Sequence, residues 1–317
     1  PSAGHLCALP APRRSQVTIL PSVAEHGVAP VLGVQAVLAE DTVDLKDPQY
    51  AAEYAHEITC HLQQGERRMM ADPLYMQRQA KLNAKMRSRL VHWIIKVHEK
   101  LELCPQTLFM SINLLDRYLA CAEQVVPERL QLVGATVLLL ASKYEDVEAA
   151  DPKGLAVLTN GVCCREDILA LEVEILNSLG FEFGVFGSSH QFAQRMSKVG
   201  ELDEKRSRLA LELTQLALPV YSMLSFPPSH VAAAAVLVAN RTHQVQEPWP
   251  QRLAGYTGYD EDALGPCAMA LETLLGLNQR RKIAEIAATP SPPTRSLPKA
   301  VTPAALSSGR SSTSDPL

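Results

Sequence analysis

The stretch RLQLVGATVLLLAS, residues 129–142, is apolar on nearly every side when it is drawn as an α-helix. Such a helix is stable at the centre of a bundle, where other helices cover all of its faces. Its glycine, alanine and valine side chains are small, so neighbouring helices can approach it closely. The stretch therefore predicts a helical bundle built around residues 129–142.

The same plan recurs later in the chain. VGATVLLLASK (133–143) aligns with VAAAAVLVANR (231–241), and both segments are rich in small residues and end in Lys or Arg. The distance in sequence between the two segments corresponds to a duplicated domain rather than to the shorter period of a solenoid repeat. The sequence thus predicts two tandem bundles, with their boundary near residues 183–187, where two glycines interrupt the pattern.

The segments around the first central helix are amphipathic. Apolar residues recur at helical spacing in 84–100, 107–120 and 165–179, and strand signals are almost absent. Upstream, Tyr54, Ile58 and Leu62 recur at every fourth position, which predicts a short N-terminal helix. The expected fold is all-α, with two five-helix bundles after that helix.

The two ends of the chain differ in composition from the rest. Residues 288–317 contain six prolines and eleven Ser or Thr, a composition typical of disorder. Three of these hydroxyl residues precede a proline and are candidate phosphorylation sites: Thr289, Ser291 and Thr302. The predicted organisation is a mostly disordered segment 1–46, an N-terminal helix 47–70 packing on the first bundle, bundles 71–183 and 184–287, and a disordered tail 288–317.

Composition and motifs argue against several classes of function. The formal charge of −4 gives no global attraction to nucleic acid or to anionic membranes, so neither is an expected partner. The usual phosphate-binding, zinc-protease and nucleophile-elbow motifs are absent, so we expect no catalytic residue, metal or cofactor. Seven cysteines without a C-x-x-C pair predict reduced thiols and an intracellular location, nuclear or cytoplasmic.

Two charged residues stand out at apolar positions. Lys143 ends the most apolar helix, and Glu172 lies between Leu171 and Val173. Neither residue type is readily buried without a partner. Each is either an ordinary solvated charge or a contact to another molecule, and the pattern leaves both interpretations open.

Several segments resemble the cyclin box of A/B-type mitotic cyclins, in the family's order. They are MRSRLVHWIIKVHEK (86–100), LLDRYL (114–119), LQLVGATVLLLASKYED (130–146) and LEVEILNSLGFEF (171–183). The resemblance extends back to DPQYAAEYAHEI (47–58) and YMQRQ (75–79), and forward to QEPWPQRLAGYTGYDEDALGPC (246–267). It implies a non-catalytic subunit that binds and activates a cyclin-dependent serine/threonine protein kinase as a heterodimer and contributes to substrate selection in cell-cycle control.

The resemblance also implies roles for individual residues. The family's characteristic residues appear in order as Arg87, Asp116, Leu132, Lys143 and Glu172. Arg87 and Asp116 would form a buried ion pair, whereas Lys143 and Glu172 would bond to the kinase backbone. Four further residues would complete the kinase-binding surface: Tyr54, Ile58, Tyr144 and Phe181.

A second family feature is altered in this chain. The shallow patch with which such cyclins capture basic-then-leucine motifs of substrates and inhibitors would comprise Met86, Leu90, Trp93, Gln131 and Leu132. Here Arg89 replaces an aliphatic residue, Lys96 and Lys100 replace acids, and His92 replaces an Asp. Residues 77–100 carry seven Lys or Arg and one acid, which predicts repulsion of a basic motif.

The alternative from another class is a cyclin-fold basal transcription factor that binds DNA. That function requires a basic surface across both bundles and usually a zinc ribbon at the N-terminus. The charge of −4 and the lack of ribbon-spaced cysteines disfavour it.

Overall fold

The computed structural model describes residue 41 and residues 44–46, 51–183 and 187–288, with side chains as far as residue 281. The segments predicted to be disordered, 1–46 and 288–317, lie outside these residues apart from Asp41, residues 44–46 and Ala288. Thr289, Ser291 and Thr302 also lie outside them.

The described residues form eleven α-helices and no strand. Helix α1 spans Ala55–Met69 and follows a 3-10 turn at Ala52–Tyr54. The first bundle contains α2 Ala84–Lys100, α3 Pro105–Cys121, α4 Leu130–Glu145, α5 Pro152–Leu158 and α6 Arg165–Ser178. The second contains α7 Ser189–Val199, α8 Glu204–Ala217, α9 Pro228–Thr242, α10 Gln251–Thr257 and α11 Glu261–Ala288. The prediction of an all-α fold with two tandem five-helix bundles is confirmed.

Helices α4 and α9 are the central helices of the two bundles. Val137 and Leu139 of α4 are fully buried, and so is the run 232–239 of α9. Helices α2, α3, α5 and α6 contact α4, while α7, α8 and α11 contact α9. Small side chains make this possible, because a Cβ added to Gly134 would lie 2.8 Å from Leu90 Cδ1.

Helix α1, which the prediction placed on the first bundle, contacts both bundles. Leu62 packs with the core of the second bundle, and Gln63 donates to the Thr257 carbonyl at 3.1 Å. The residues that α1 buries are Glu66 and Met69 rather than the exposed Tyr54 and Ile58. The predicted spacing located the helix, and Tyr54 and Ile58 lie on its exposed side or just before it. Contact with the first bundle includes Asn113, which donates to the Met69 carbonyl.

Glu66 explains why α1 binds the second bundle. Its buried carboxylate accepts hydrogen bonds from the Ser229 backbone N–H at 2.8 Å and from the Ser229 hydroxyl at 2.6 Å. Ser229 lies in the first turn of α9, where backbone N–H groups lack helical partners and favour a negative charge. Glu66 thus caps the central helix of the second bundle from outside that bundle.

A pH-dependent stability follows from this contact. Burial raises the pKa of Glu66 despite the two bonds from Ser229. Its contribution to stability is therefore fully present below the ordinary carboxyl pKa and is lost as pH rises through the raised value. We expect Glu66→Gln to gain stability relative to wild type as pH rises, since the amide can donate to Ser229 Oγ without carrying charge. Urea denaturation of both proteins across this pH range measures the difference.

Glu66→Ala is the control for that measurement. It leaves the Ser229 backbone N–H unpaired and should be about 1–3 kcal/mol less stable than Glu66→Gln at every pH, because neither variant titrates at this position. A constant difference between wild type and Glu66→Gln would contradict the titration of Glu66.

None of the helices in the described ranges is long and apolar enough to cross a membrane.

Candidate functional site

Lys143 and Glu172 meet at one point on the surface of the first bundle. Lys143 lies in the last turn of α4 and Glu172 in α6, and Lys143 Nζ lies 2.5 Å from Glu172 Oε1. The Lys143 side chain is 45% exposed, whereas that of Glu172 is only 12% exposed. Within the described residues neither has another ion-pair or hydrogen-bond partner, so each retains bonding capacity for a second molecule.

The second bundle provides an internal comparison. Arg241 occupies the position in α9 that matches Lys143 in the duplicated pattern. It forms ion pairs with Glu261 at 2.8 Å and with Glu272 at 3.3 Å, both from α11. The cation of the second bundle is therefore held by two acids of its own bundle, whereas Lys143 has one.

Exposed apolar side chains adjoin the pair in sequence. Tyr144 follows Lys143, and Val173 follows Glu172, and both are more than half exposed. Val173 was missed by the sequence analysis. It could have been recognised as an apolar residue of α6 that does not lie on the face formed by the buried Ile168, Leu171 and Ile175. Large apolar groups left in solvent beside placed charges are typical of a protein-binding surface.

Phe181 is presented to solvent by the end of α6. The Gly180 N–H donates to the Asn177 carbonyl and the Phe181 N–H to the Leu176 carbonyl, which closes a Schellman motif. Gly180 and Phe181 have φ angles of 62° and 57°. The left-handed region is unfavourable for a bulky residue, and the Phe181 side chain is nevertheless 64% exposed. A strained backbone that leaves the Phe181 side chain in solvent is consistent with a residue positioned to contact a partner.

Tyr54 and Ile58 lie on a different element. Both are exposed, at the end of the 3-10 turn and in the first turn of α1 respectively. Within the described part of the chain, no hydrogen bond or ion pair joins them to Lys143 or Glu172. The predicted kinase-binding residues thus lie on three elements, on α4, at and beyond α6, and at the start of α1, and Tyr54, Ile58, Tyr144 and Phe181 are exposed.

Arg87 and Asp116 form a buried ion pair between α2 and α3. Arg87 Nε and Nη2 each lie 2.6 Å from an Asp116 carboxylate oxygen, and both side chains are 2% exposed. The Tyr75 hydroxyl donates to Asp116 at 2.8 Å, and Arg87 Nη1 donates to the Leu218 carbonyl beyond α8 at 2.9 Å. Burial opposes the charge of Arg87, but the carboxylate outweighs it and raises the pKa of the guanidinium. The pair therefore connects both bundles.

The predicted docking patch is only partly exposed to solvent. Met86, Trp93, Gln131 and Leu132 are half-buried along the contact of α2 with α4. Leu90 is 6% exposed and packs against Gly134, so it contributes to the core more than to an exposed floor. The surrounding side chains of Arg89, His92, Lys96 and Lys100 are exposed.

Among the residues that the structure describes, no group of three or more His, Cys, Asp or Glu side chains could hold a metal ion.

Comparison with known proteins gives matches over both bundles. The family model "Cyclin, N-terminal domain" matches residues 57–184, and "Cyclin, C-terminal domain" matches residues 188–294. Cyclin-B2-4 of Arabidopsis thaliana is 34% identical over 78% of this chain and 56% of its own length. G2/mitotic-specific cyclin-1 of Medicago sativa subsp. varia is 37% identical over 72% and 53%. G2/mitotic-specific cyclin-2 of Medicago sativa is 36% identical over 78% and 74%. The chain spans about half the length of the first two relatives.

Solved structures share the fold at lower identity. A viral cyclin from herpesvirus saimiri has a TM-score of 0.60 at 19% identity, covering 70% of this chain and 96% of its own. A chain of the yeast RNA Pol II CTD kinase CTDK-1 complex has a TM-score of 0.52 at 15% identity, covering 59% and 64%. Because both bundles match the family models and the curated relatives are G2/mitotic and B2-type cyclins, the chain belongs to the cyclin family.

Proposed function

We propose that this chain is a regulatory subunit that binds and activates a cyclin-dependent serine/threonine protein kinase and contributes to substrate selection in cell-cycle control. The observation that carries the proposal is the Lys143–Glu172 pair, which is exposed on one side and adjoined by Tyr144 and Val173. The mitotic names of the chain's relatives support the cell-cycle assignment. A nuclear or cytoplasmic location is part of the proposal.

The proposed mechanism is positional. The exposed aromatic and aliphatic side chains supply apolar area that becomes buried on binding, while Lys143 and Glu172 bond to backbone groups of the kinase. The bundle then holds the mobile regulatory helix and activation segment of the kinase in their active arrangement. Phosphoryl transfer takes place in the kinase, which supplies the phosphate-binding groups that this chain lacks.

The DNA-binding alternative receives no support from the charge distribution. Five arginines of the second bundle pair with acids: Arg195, Arg206, Arg208, Arg241 and Arg252. Such pairing removes the coherent basic surface on which binding to a phosphate backbone depends.

A kinase assay tests the proposed function. We expect the purified chain to transfer no phosphate from ATP by itself, and to stimulate a cyclin-dependent kinase that co-purifies with it from cells. The readout is phosphate incorporation into a protein substrate by the kinase alone, by the chain alone and by both together. Turnover by the chain alone, or equal rates with and without the chain, would overturn the proposal.

A further inference from the structure

Two basic residues of α7 hold carboxylates that lie upstream of α1. Arg195 donates from Nη1 and Nη2 to the two carboxylate oxygens of Asp41, at 2.6 and 2.8 Å. Lys198, one turn further along α7, lies 3.0 Å from Asp41 and also pairs with Asp44. The Asp41 side chain is 3% exposed and that of Arg195 is 13% exposed. This ion-pair cluster of four residues fixes the chain before α1 to the second bundle.

The four residues of the cluster remain charged although they are partly buried. Burial opposes the ionised form of Asp41, but the bonds from Arg195 and Lys198 outweigh it and lower the pKa of the carboxyl. Burial also opposes the charges of Arg195 and Lys198, and their carboxylate partners raise the pKa of each. A bidentate pair between arginine and a carboxylate also fixes the relative orientation of its members. The cluster therefore holds the upstream chain in one geometry.

One connection leads from the cluster to Tyr54 along the backbone. Asp44 begins a 3-10 turn, Asp44–Lys46, which lies close to the turn Ala52–Tyr54. Ala51 precedes that second turn with a φ angle of 46°, in the left-handed region that is unfavourable for a residue with a side chain. Such a strained conformation persists only where the surrounding contacts hold it. The position of Tyr54 thus depends on contacts that the cluster supports.

A second connection runs through Tyr256 of α10. Arg195 Nε donates to the Tyr256 hydroxyl at 2.8 Å, and the guanidinium carbon lies 5.3 Å from the centroid of the Tyr256 ring. The same ring meets His56 edge-on, with 5.3 Å between the ring centroids. His56 lies in the first turn of α1, two positions from both Tyr54 and Ile58. Arg195 is therefore connected to the start of α1 by two separate routes.

We propose that Arg195, with Lys198, is a positioning residue for kinase binding, which holds Tyr54 and Ile58 in the orientation that meets the kinase. The inference rests on the proposed function, in which these two exposed side chains become buried against the kinase. Because the Arg195 side chain is covered within the chain, its effect reaches the kinase through the start of α1. Release of that region lowers the fraction of binding-competent chain, and the apparent affinity falls in proportion.

The kinase affinity of Arg195→Gln tests the inference in the full chain. We expect the affinity to fall about tenfold by calorimetric titration while the bundles stay folded, because Asp41 can return to solvent once its cation is removed. Arg195→Lys keeps the charge and should recover part of the affinity. Arg208→Gln is the matched control, since it removes an arginine of the same bundle whose pair with Glu204 is exposed, and it should bind the kinase like wild type.

A double-mutant cycle separates positioning from a general loss of structure. If Arg195 acts through Tyr54 and Ile58, Arg195→Gln should change the affinity by less than about twofold in a chain that already carries Tyr54→Ala and Ile58→Ala. In a chain that carries Lys143→Ala, the full effect of Arg195→Gln should remain, because Lys143 pairs with Glu172 on the first bundle. Equal effects of Arg195→Gln in all three backgrounds would overturn the inference.

Trypsin cleavage tests the hold on the upstream chain without a kinase. Trypsin cuts after Lys46, in the turn that Asp44 begins, and cleavage there requires the local backbone to open. Arg195→Gln and Asp41→Asn should each raise the rate of this cleavage several-fold, with the fragments identified by mass spectrometry. Cleavage after the exposed Lys153 of α5 is the internal control and should not change. An unchanged rate after Lys46 would overturn the inference.

The outcomes keep the inference apart from the proposed function. If wild type binds a cyclin-dependent kinase and Arg195→Gln binds it equally tightly, the inference fails and the proposed function stands. If wild type binds no such kinase, the proposed function fails and the positioning role fails with it, whatever the result of the trypsin experiment.

Discussion

Lys143→Ala and Glu172→Ala should each weaken the affinity for the partner kinase while the bundle stays folded. Truncating one member of a buried, hydrogen-bonded charge pair costs about 2–5 kcal/mol at an interface, which corresponds to a loss of at least about thirtyfold. Stability should change by less than about 1 kcal/mol, because Lys143 is nearly half exposed in the free chain. Calorimetric titration of the kinase, with thermal unfolding of each variant, measures both effects.

The arrangement of the pair permits a sharper test. Lys143→Glu combined with Glu172→Lys retains an ion pair within the chain but reverses the charges offered to the kinase. Loss of kinase binding in this double variant would assign the charges to the interface, whereas wild-type affinity would make the pair purely structural and contradict the prediction. Arg241→Ala is the matched control, since the second-bundle cation is already held by Glu261 and Glu272.

Arg87→Ala should have the largest effect on stability. It leaves Asp116 buried and without its cation, and removing one partner of a buried ion pair costs about 3–5 kcal/mol. A loss of 1 kcal/mol lowers the Tm by about 2–4 °C in a protein of roughly 150–250 residues, so a decrease of about 10 °C is expected. The variant also removes the donor to the Leu218 carbonyl. Differential scanning calorimetry gives the change directly.

A double variant separates two effects of Arg87→Ala on stability. One is the buried charge of Asp116 without its cation, and the other is the loss of packing. Arg87→Met with Asp116→Leu replaces the pair by apolar side chains and should recover much of the Tm, because apolar replacement of a buried pair is often neutral. A Tm for Arg87→Ala within two degrees of wild type would show that the ion pair is dispensable.

The sequence was most informative about properties that depend on a single helix, namely its bounds and its burial. The segment 84–100 coincides with α2, and the two small-residue segments are the buried central helices. Periodicity succeeds here because apolar spacing reports burial within a single element.

Contacts between distant elements were harder to predict. Glu66 and Ser229 are 163 positions apart, and a glutamate on an amphipathic helix is normally assigned to solvent. The sequence also left Lys143 and Glu172 open between two interpretations, because their pairing depends on how α4 crosses α6. Leu90 was assigned to the docking patch because helical spacing does not distinguish a partly exposed position from a core position that packs against Gly134.

The docking of α1 on the second bundle also has a consequence for biosynthesis. A ribosome makes α1 before α9, and at about 5–20 residues per second the 163 residues between Glu66 and Ser229 take roughly ten to thirty seconds. Synthesis of the first bundle falls within this interval and is complete before its end, while Glu66 still lacks Ser229. The nascent chain therefore passes through a state in which α1 has been made but the Ser229 end of α9 has not, and a chaperone could bind α1 in that state.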